Sequence, residues 1–148
     1  MDIENLNELK VLVNSKNVNN FVDEYGRNLL QNAIIDNPMA IDFLIDIGID
    51  INHIDSNKQN ALHFCAEYAN YELAELLLKK GIYKNQKDIY GNTPMWRAVF
   101  NADGEYSLVK LLKKYDCDFL SKNNNNKSPL DFAIQIGDNE LQNILLRN

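Results

Sequence analysis

The sequence predicts an all-α fold: a solenoid of stacked helix-turn-helix units with short hairpin-like connections, filling residues 1–148 as one domain. Three observations carry this. One segment recurs with starts at Asp23, Asp55, Asp88 and Asn123, which lie 32, 33 and 35 residues apart. A period in the range of roughly 20–50 residues is the mark of stacked supersecondary units. After each segment comes a second apolar pattern at helical spacing, at 41–45, 74–78, 109–112 and 141–146. Finally, the column Asn28, Asn60, Thr93 and Ser128 holds only good N-cap residues, whose side-chain oxygens can accept a bond from an orphan N–H of a first helical turn.

Taken in order, residues 1–22 read as a partial cap. Leu6, Leu9 and Leu12 recur every three residues with Asn5, Glu8 and Lys10 outward, as in a second helix that lacks its first. Units then occupy about 23–54, 55–87, 88–122 and 123–148. Behind each cap residue comes Leu29, Ala61, Pro94 or Pro129, and Pro is at home in the first helical position. Five residues after each cap stands a small residue, Ala33, Cys65, Ala98 or Ala133, which lets two helices approach closely. The second helices end at Gly48 and Gly81, with Asp116 in that place in the third unit. The third unit also carries about two extra residues near Ala102–Gly104, which lengthen its inter-helix loop. Lys58 and Asn126 replace the turn glycines Gly26 and Gly91; Asn tolerates a left-handed backbone, whereas Lys there costs about 1 kcal/mol. Asn139, Gln142, Asn143 and Arg147 give the last helix a polar side suited to an end unit. Neither helix of a unit can bury its apolar face alone, so the units must stack.

This pattern resembles the ankyrin repeat, whose signature runs Asp-x-x-Gly-x-Thr-Pro-Leu-His-x-Ala. The third unit matches at Asp88, Gly91, Thr93, Pro94 and Ala98. The second keeps Leu62 and His63 and the tail 77–81; the first keeps Asp23, Gly26, Leu30 and Ala33; the fourth keeps 128–130 and Ala133. The resemblance covers about residues 23–148 and is specific because four registers agree. It implies a concave groove lined by the first helices and flanked by the turn tips, a role in binding protein, no cofactor, and a structural part for His63. The stretch 91–101 is also similar to small bacterial ankyrin proteins, some of which look like immunity proteins that neutralise a toxin or effector enzyme.

Composition narrows the function. Net charge is −6 and the pI about 4.8, so there is no global basic field for gripping nucleic-acid phosphates. No apolar run reaches the length of a membrane span, because Asp42, Asp46, Asp50 and Asn52 interrupt the longest. The start of the chain is acidic and polar, without the pattern of a signal peptide. Two cysteines make no disulfide framework, and a reduced, cytoplasmic protein is the simplest reading. The 23 asparagines are mostly scattered, with one run at Asn123–Asn126. Several fall at caps and turns, where Asn belongs.

Candidates for chemistry are few. His63 and Cys65 could ligate a metal, but the remaining candidates, His53 and Cys117, lack metal-motif spacing. As a nucleophile and base they fare no better, since residues two apart on a helix point in different directions. No Gly-rich phosphate loop or HExxH string is present. An enzyme is therefore not expected, and neither is a metal or cofactor.

What remains is surface. The column after His63 and those three and four further on share one helical face. They comprise Asn32, Ile35 and Asp36; Phe64, Glu67 and Tyr68; Arg97, Phe100 and Asn101; and Phe132, Gln135 and Ile136. By resemblance this face lines the groove, beside turn tips that carry Glu24, Tyr25, Arg27, Gln59, Tyr90 and Asn92. The residues expected to bind a partner are Glu24, Tyr25, Arg27, Asp36, Gln59, Glu67, Tyr68, Tyr90, Asn92, Trp96, Arg97, Phe100 and Asn101. Phe64 and Phe132 either share in this or pack between units. Trp96 either packs on the lengthened loop with its N–H bonded locally or stands out as a binding anchor. Charge is uneven as well: no Lys or Arg lies between Arg27 and Lys58, a stretch with five Asp, whereas 79–127 holds ten basic and five acidic residues. The resulting dipole is either a solvated surface or a means of steering a partner with a basic patch. The reading is a non-enzymatic protein-binding module, monomeric when free. It would act by occluding a protein partner, such as a toxin or effector. The alternative is an adaptor or host-directed ankyrin effector of an intracellular bacterium or virus.

Overall fold

The computed structural model describes residues 5–147. Along them run α1 (Leu6–Leu12), α2 (Leu29–Asp36), α3 (Ile41–Asp46), α4 (Ala61–Glu67), α5 (Tyr71–Lys79), α6 (Pro94–Phe100), α7 (Ser107–Lys114), α8 (Pro129–Gln135) and α9 (Asn139–Leu146). Short 3-10 turns lie at Val18–Asn20 and Pro38–Ala40. The expected all-α solenoid is what forms. The helices pair in sequence, α2 with α3, α4 with α5, α6 with α7 and α8 with α9. The first members stack as an inner row, α2 on α4 on α6 on α8, while α5, α7 and α9 stack outside them. An isolated bridge between Val22 and Asn28 is the strand-like pairing seen among the described residues. The start of the expected cap, Met1–Glu4, and the final Asn148 lie outside those residues.

Burial follows the columns. Leu30, Leu62 and Met95 are fully buried in the inner row, and Leu44, Leu77, Leu112 and Leu145 in the outer. The small column Ala33, Cys65, Ala98 and Ala133 lies within the stack, where no larger side chain would let the inner helices meet. α1 sits beside α3, with the Lys10 ammonium 5.7 Å from the Phe43 ring centre. Of the three leucines expected to face inward, Leu9 is buried, Leu6 partly so and Leu12 exposed. A spacing of three falls about 60° short of a full turn at each step, so Leu12 has rotated off the face. Val13 and Val18 complete the burial instead.

Four side-chain patterns recur along the stack, the first and third within a unit and the second and fourth between one unit and the next. In the turn column, the Oδ1 atoms of Asp23, Asp55, Asp88 and Asn123 each accept from the two backbone N–H groups two and four residues on, at 2.8–3.1 Å. This Asx geometry is why only Asp or Asn occupies the column. Asp55 is accordingly buried, so it belongs to a turn and not to the surface charge of its stretch. In the second ladder, the Oδ1 atoms of Asn19, Asn52 and Asn85 accept from the N–H of Asp50, Tyr83 and Asp118 at 2.7–2.9 Å. Third, the cap residues Asn28 and Asn60 use their amide N–H to reach the carbonyls of Asp50 and Tyr83, both at 2.9 Å. Fourth, Gln31 and His63 each accept from the N–H of their cap residue and donate across to the next turn. Gln31 Nε2 reaches the Gln59 carbonyl at 2.8 Å and His63 Nε2 the Asn92 carbonyl at 3.1 Å.

The departures read from the sequence have backbone counterparts. Lys58, Asn126 and Asp116 take positive φ values of 60°, 58° and 55°. The α6–α7 loop runs over 101–106 against 68–70 and 136–138 in its counterparts. On the last pair, the polar residues Asn139, Asn143 and Arg147 are exposed, but so are Ile134 and Leu146, at 55% and 58%.

Candidate functional site

The residues expected to bind divide between two places. One lies at the first turn and α2. Asp23 takes the Arg27 guanidinium at 2.8 Å as well as the N–H of Arg27, and the guanidinium lies 4.7 Å from the centre of the exposed Tyr25 ring. Burial raises the Asp23 carboxyl, but the bonds from Arg27 outweigh it and hold the acid below the usual carboxylate range. Arg27 is thus spent internally, whereas Glu24 and Asp36 are exposed and, among the described residues, enter no ion pair. Between this turn and α1 runs a groove of about 690 Å³. Leu9, Ala33 and Leu44 lie at its floor, with Phe21 and Asn32 on its sides.

The other place lies on α4, α6 and α8. The Arg97 guanidinium bonds Glu67 at 3.0 Å and approaches the buried Asp88 at 3.6 Å, and the Asn101 amide donates to the same Glu67 oxygen at 3.3 Å. Beside this cross-unit clamp, Trp96 stacks on Phe100 with ring centres 5.2 Å apart. Phe132 completes a triangle of rings at 5.7 and 5.3 Å. Phe100 remains 53% exposed at its outer face. Such rigid aromatic area beside Arg and Asn is the composition that binding hot spots favour.

Trp96 departs from both readings made of it. Its body is half-buried in the ring triangle, and its Nε1–H is buried without a hydrogen-bond partner among the described residues. Indole cannot accept from its cap residue as Gln31 and His63 do, because it has only a donor. Phe64 is buried between helices, whereas Phe132 is only partly buried. Gln59 and Asn92 are held by the turn network: Asn92 Oδ1 accepts from Asn123 at 2.9 Å, and both carbonyls serve the Gln31 and His63 ladder. Tyr68 and Tyr90 stand exposed.

Of the groups considered for chemistry, His63, Cys65 and Cys117 are sealed, while the partly buried His53 has its Nε2 at 2.7 Å from the Gly26 carbonyl. Burial pushes the His63 imidazole down to about 4, while both its nitrogens are engaged. Burial raises the Cys65 thiol well above its ordinary value and pushes Cys117 up to about 12. Neither sulfur is a thiolate in this setting, and the thiolate is the reactive form. The groove and the part of Phe132 in the ring triangle were not singled out in the sequence. The signal for the first was α1 itself, an outer helix with no inner mate among the described residues, and for the second the aromatics at neighbouring columns, Trp96 and Phe132.

A family model described as "Ankyrin repeats (3 copies)" matches residues 2–88. Inversin of Gallus gallus is 31% identical over 88 residues, which cover 59% of this chain and 8% of inversin. Transient receptor potential cation channel subfamily A member 1 of Homo sapiens is 28% identical over 130 residues, 83% of this chain and 11% of the channel. Serine/threonine-protein kinase 12 of Arabidopsis thaliana is 40% identical over 70 residues, 47% of this chain and 15% of the kinase. The chain thus matches only a small part of the length of these relatives.

Proposed function

The chain belongs to the ankyrin-repeat family, a protein-binding fold, and from that premise we propose that it is a non-enzymatic module that binds one partner protein and blocks that partner's working surface. On this reading residues 1–148 act as a single recognition domain, free as a monomer in the cytoplasm. The partner is a toxin or effector with a basic patch, and the module serves as its immunity protein. The observation that carries the reading is the set of side chains on the turn tips and inner helices that no internal bond consumes. Glu24 and Asp36 are exposed and outside any ion pair among the described residues, and the rings of Tyr25, Tyr68, Tyr90 and Phe100 lie open. Rigid aromatic rings supply contact area at small entropic cost, and unpaired carboxylates steer a basic partner. The sealed state of His63, Cys65 and Cys117 supports a role without chemistry.

The test is capture of the partner from the native cell, with its affinity then measured for wild type and for Glu24→Arg, Tyr25→Ala, Asp36→Arg combined. Binding is expected to weaken by at least about a hundredfold, the worth of about 2.7 kcal/mol. Wild-type affinity in the combined variant overturns the assignment of this surface. A partner enzyme that keeps its full activity in the complex overturns occlusion.

A further inference from the structure

The groove beside α2 has a place in the architecture. Along the stack each inner helix is covered on one side by the inner helix before it: α4 by α2, α6 by α4, α8 by α6. At α2, among the described residues, no inner helix fills that position. α1 lies beside α3 instead, and Phe21 and Val22 line the hollow. The small residue that elsewhere receives a neighbouring helix is here Ala33, at the floor of a hollow of about 690 Å³. That volume is within the range of clefts that hold a ligand. Leu29 stands where the later units have Ala61, Pro94 and Pro129. The larger side chain fills part of the space and lines the hollow with hydrocarbon.

The rim is negative. Among the described residues, Asp23, Glu24 and Asp36 line the groove against a single cation, Arg27, which Asp23 already holds at 2.8 Å. No Lys or Arg follows until Lys58. Exposed Val22 and Tyr25 add apolar surface to the lip. Resting on the protein-binding reading above, we infer that the groove receives a short basic amphipathic helix of the partner, which takes the inner-helix position that no described element fills. Its small or apolar side chains seat against Ala33 and Leu29, and its Lys or Arg side chains reach Glu24 and Asp36. Helix against inner helix is the packing this molecule already uses three times, and the carboxylates select the sign of the occupant.

The experiment uses the full chain and two labelled synthetic peptides. Both are amphipathic Ala/Leu helices, one carrying Lys and Arg along its polar side and the other Glu. The basic peptide is expected to bind saturably and to shift the amide resonances of Tyr25, Asn32, Ala33 and Asp36, leaving those of Arg97 to Ile136 unmoved. Glu24→Lys with Asp36→Lys should weaken it by about tenfold or more and confer binding of the acidic peptide. Asn32→Trp, checked for folding by its thermal transition, should block both. Absence of saturable shifts at these amides, or unchanged affinity in the charge-reversed variant, overturns the inference. So does self-association that Asn32→Trp abolishes, because the occupant is then a second copy. If the peptide fails while the captured partner still requires Tyr90 and Phe100, the slot is rejected and the protein-binding reading stands.

Discussion

His63 shows how much one column decides. Gln31, His63, Trp96 and Asp131 stand three residues after the four caps, and three of them reach back to the cap N–H: Gln31 at 2.9 Å, His63 at 3.2 Å and Asp131 at 2.9 Å. Since the Asn60 N–H points at His63 Nδ1, that nitrogen is the acceptor and Nε2 carries the proton donated to Asn92. Trp96 alone in the column gives up both bonds and gains the ring triangle with Phe100 and Phe132. The neutral imidazole has a consequence for pH. Its value is about 4 in the fold, chiefly because burial disfavours the cation, against about 6.5 in the unfolded chain. Between those values the unfolded chain binds the extra proton, so stability rises with pH there. The contribution is complete above about pH 6.5 and is lost as pH falls toward 4. By pH 4.5 this residue alone should remove about 2 to 3 kcal/mol. His63→Gln copies Gln31, which makes both bonds without titrating. Urea unfolding at pH 7 and pH 4.5 should therefore show a loss smaller by that amount in the variant than in wild type. An equal loss in both would mean that His63 does not titrate with unfolding.

At the scale of the element, the turns are joined by one backbone bond each. Ser56 N–H donates to the Tyr25 carbonyl at 3.0 Å, Ile89 to Asn57 at 2.9 Å and Asn124 to Tyr90 at 2.9 Å. Gly91 lies against that bond. A Cβ built there would come to 2.7 Å from Asn124 Oδ1 and 3.0 Å from its backbone nitrogen, whereas one at Gly81 would meet nothing within 4 Å. Both glycines have nearly the same φ, 77° and 82°, so the strain of a left-handed alanine is common to both. Gly91→Ala should then cost about 1 to 2 kcal/mol more than Gly81→Ala, measured from urea midpoints, because the next turn must retreat and its bond stretch. Equal costs would show that the turn contact contributes nothing. Caps, turn residues and small columns were legible in the sequence because each answers a local demand on one or two backbone groups. What Asn28 and Asn60 do with their other amide atom was not, since its acceptors lie 22 and 23 residues away. The same holds for the ring triangle, which depends on helices from two units, and for the groove, which is defined by the absence of an inner neighbour to α2 among the described residues.

For the whole molecule, the main helix contacts among the described residues run within a unit or between neighbouring units, so stability is a sum of units and interfaces and is least where a described helix is packed on one side alone. The column Ile34, Ala66, Val99 and Ile134 records this. The first three are buried, Val99 at 2% exposure, whereas Ile134 is 55% exposed, with no further unit packed on it among the described residues. Leu146, against the buried Leu78 at the corresponding place in α5, tells the same story in the outer row. The last pair is held by one face of packing that includes the ring triangle, by the Leu130 N–H, which donates to the Phe119 carbonyl at 3.2 Å, and by the Tyr106 hydroxyl, which donates to Asp138 at 2.7 Å across the α6–α7 and α8–α9 loops. Charge is distributed along the same axis, with Asp36, Asp42, Asp46 and Asp50 exposed at one end and Lys110, Lys114, Lys122 and Lys127 toward the other. Lys84 and Lys87 are less free than their sequence suggests, because they donate to the carbonyls of Tyr115 and Lys122. Two substitutions separate the position in the stack from the chemistry of the side chain. Val99→Ala should cost about 2 kcal/mol through lost burial and the cavity left behind. Ile134→Ala removes more hydrocarbon, yet should cost less than about 1 kcal/mol because water already covers it. Native-state hydrogen exchange should likewise find the amides of α8 and α9 opening at lower free energy than those of α4 and α5, where both sides are covered. Uniform protection along the chain, or a larger cost at Ile134 than at Val99, would mean that something covers this end in solution.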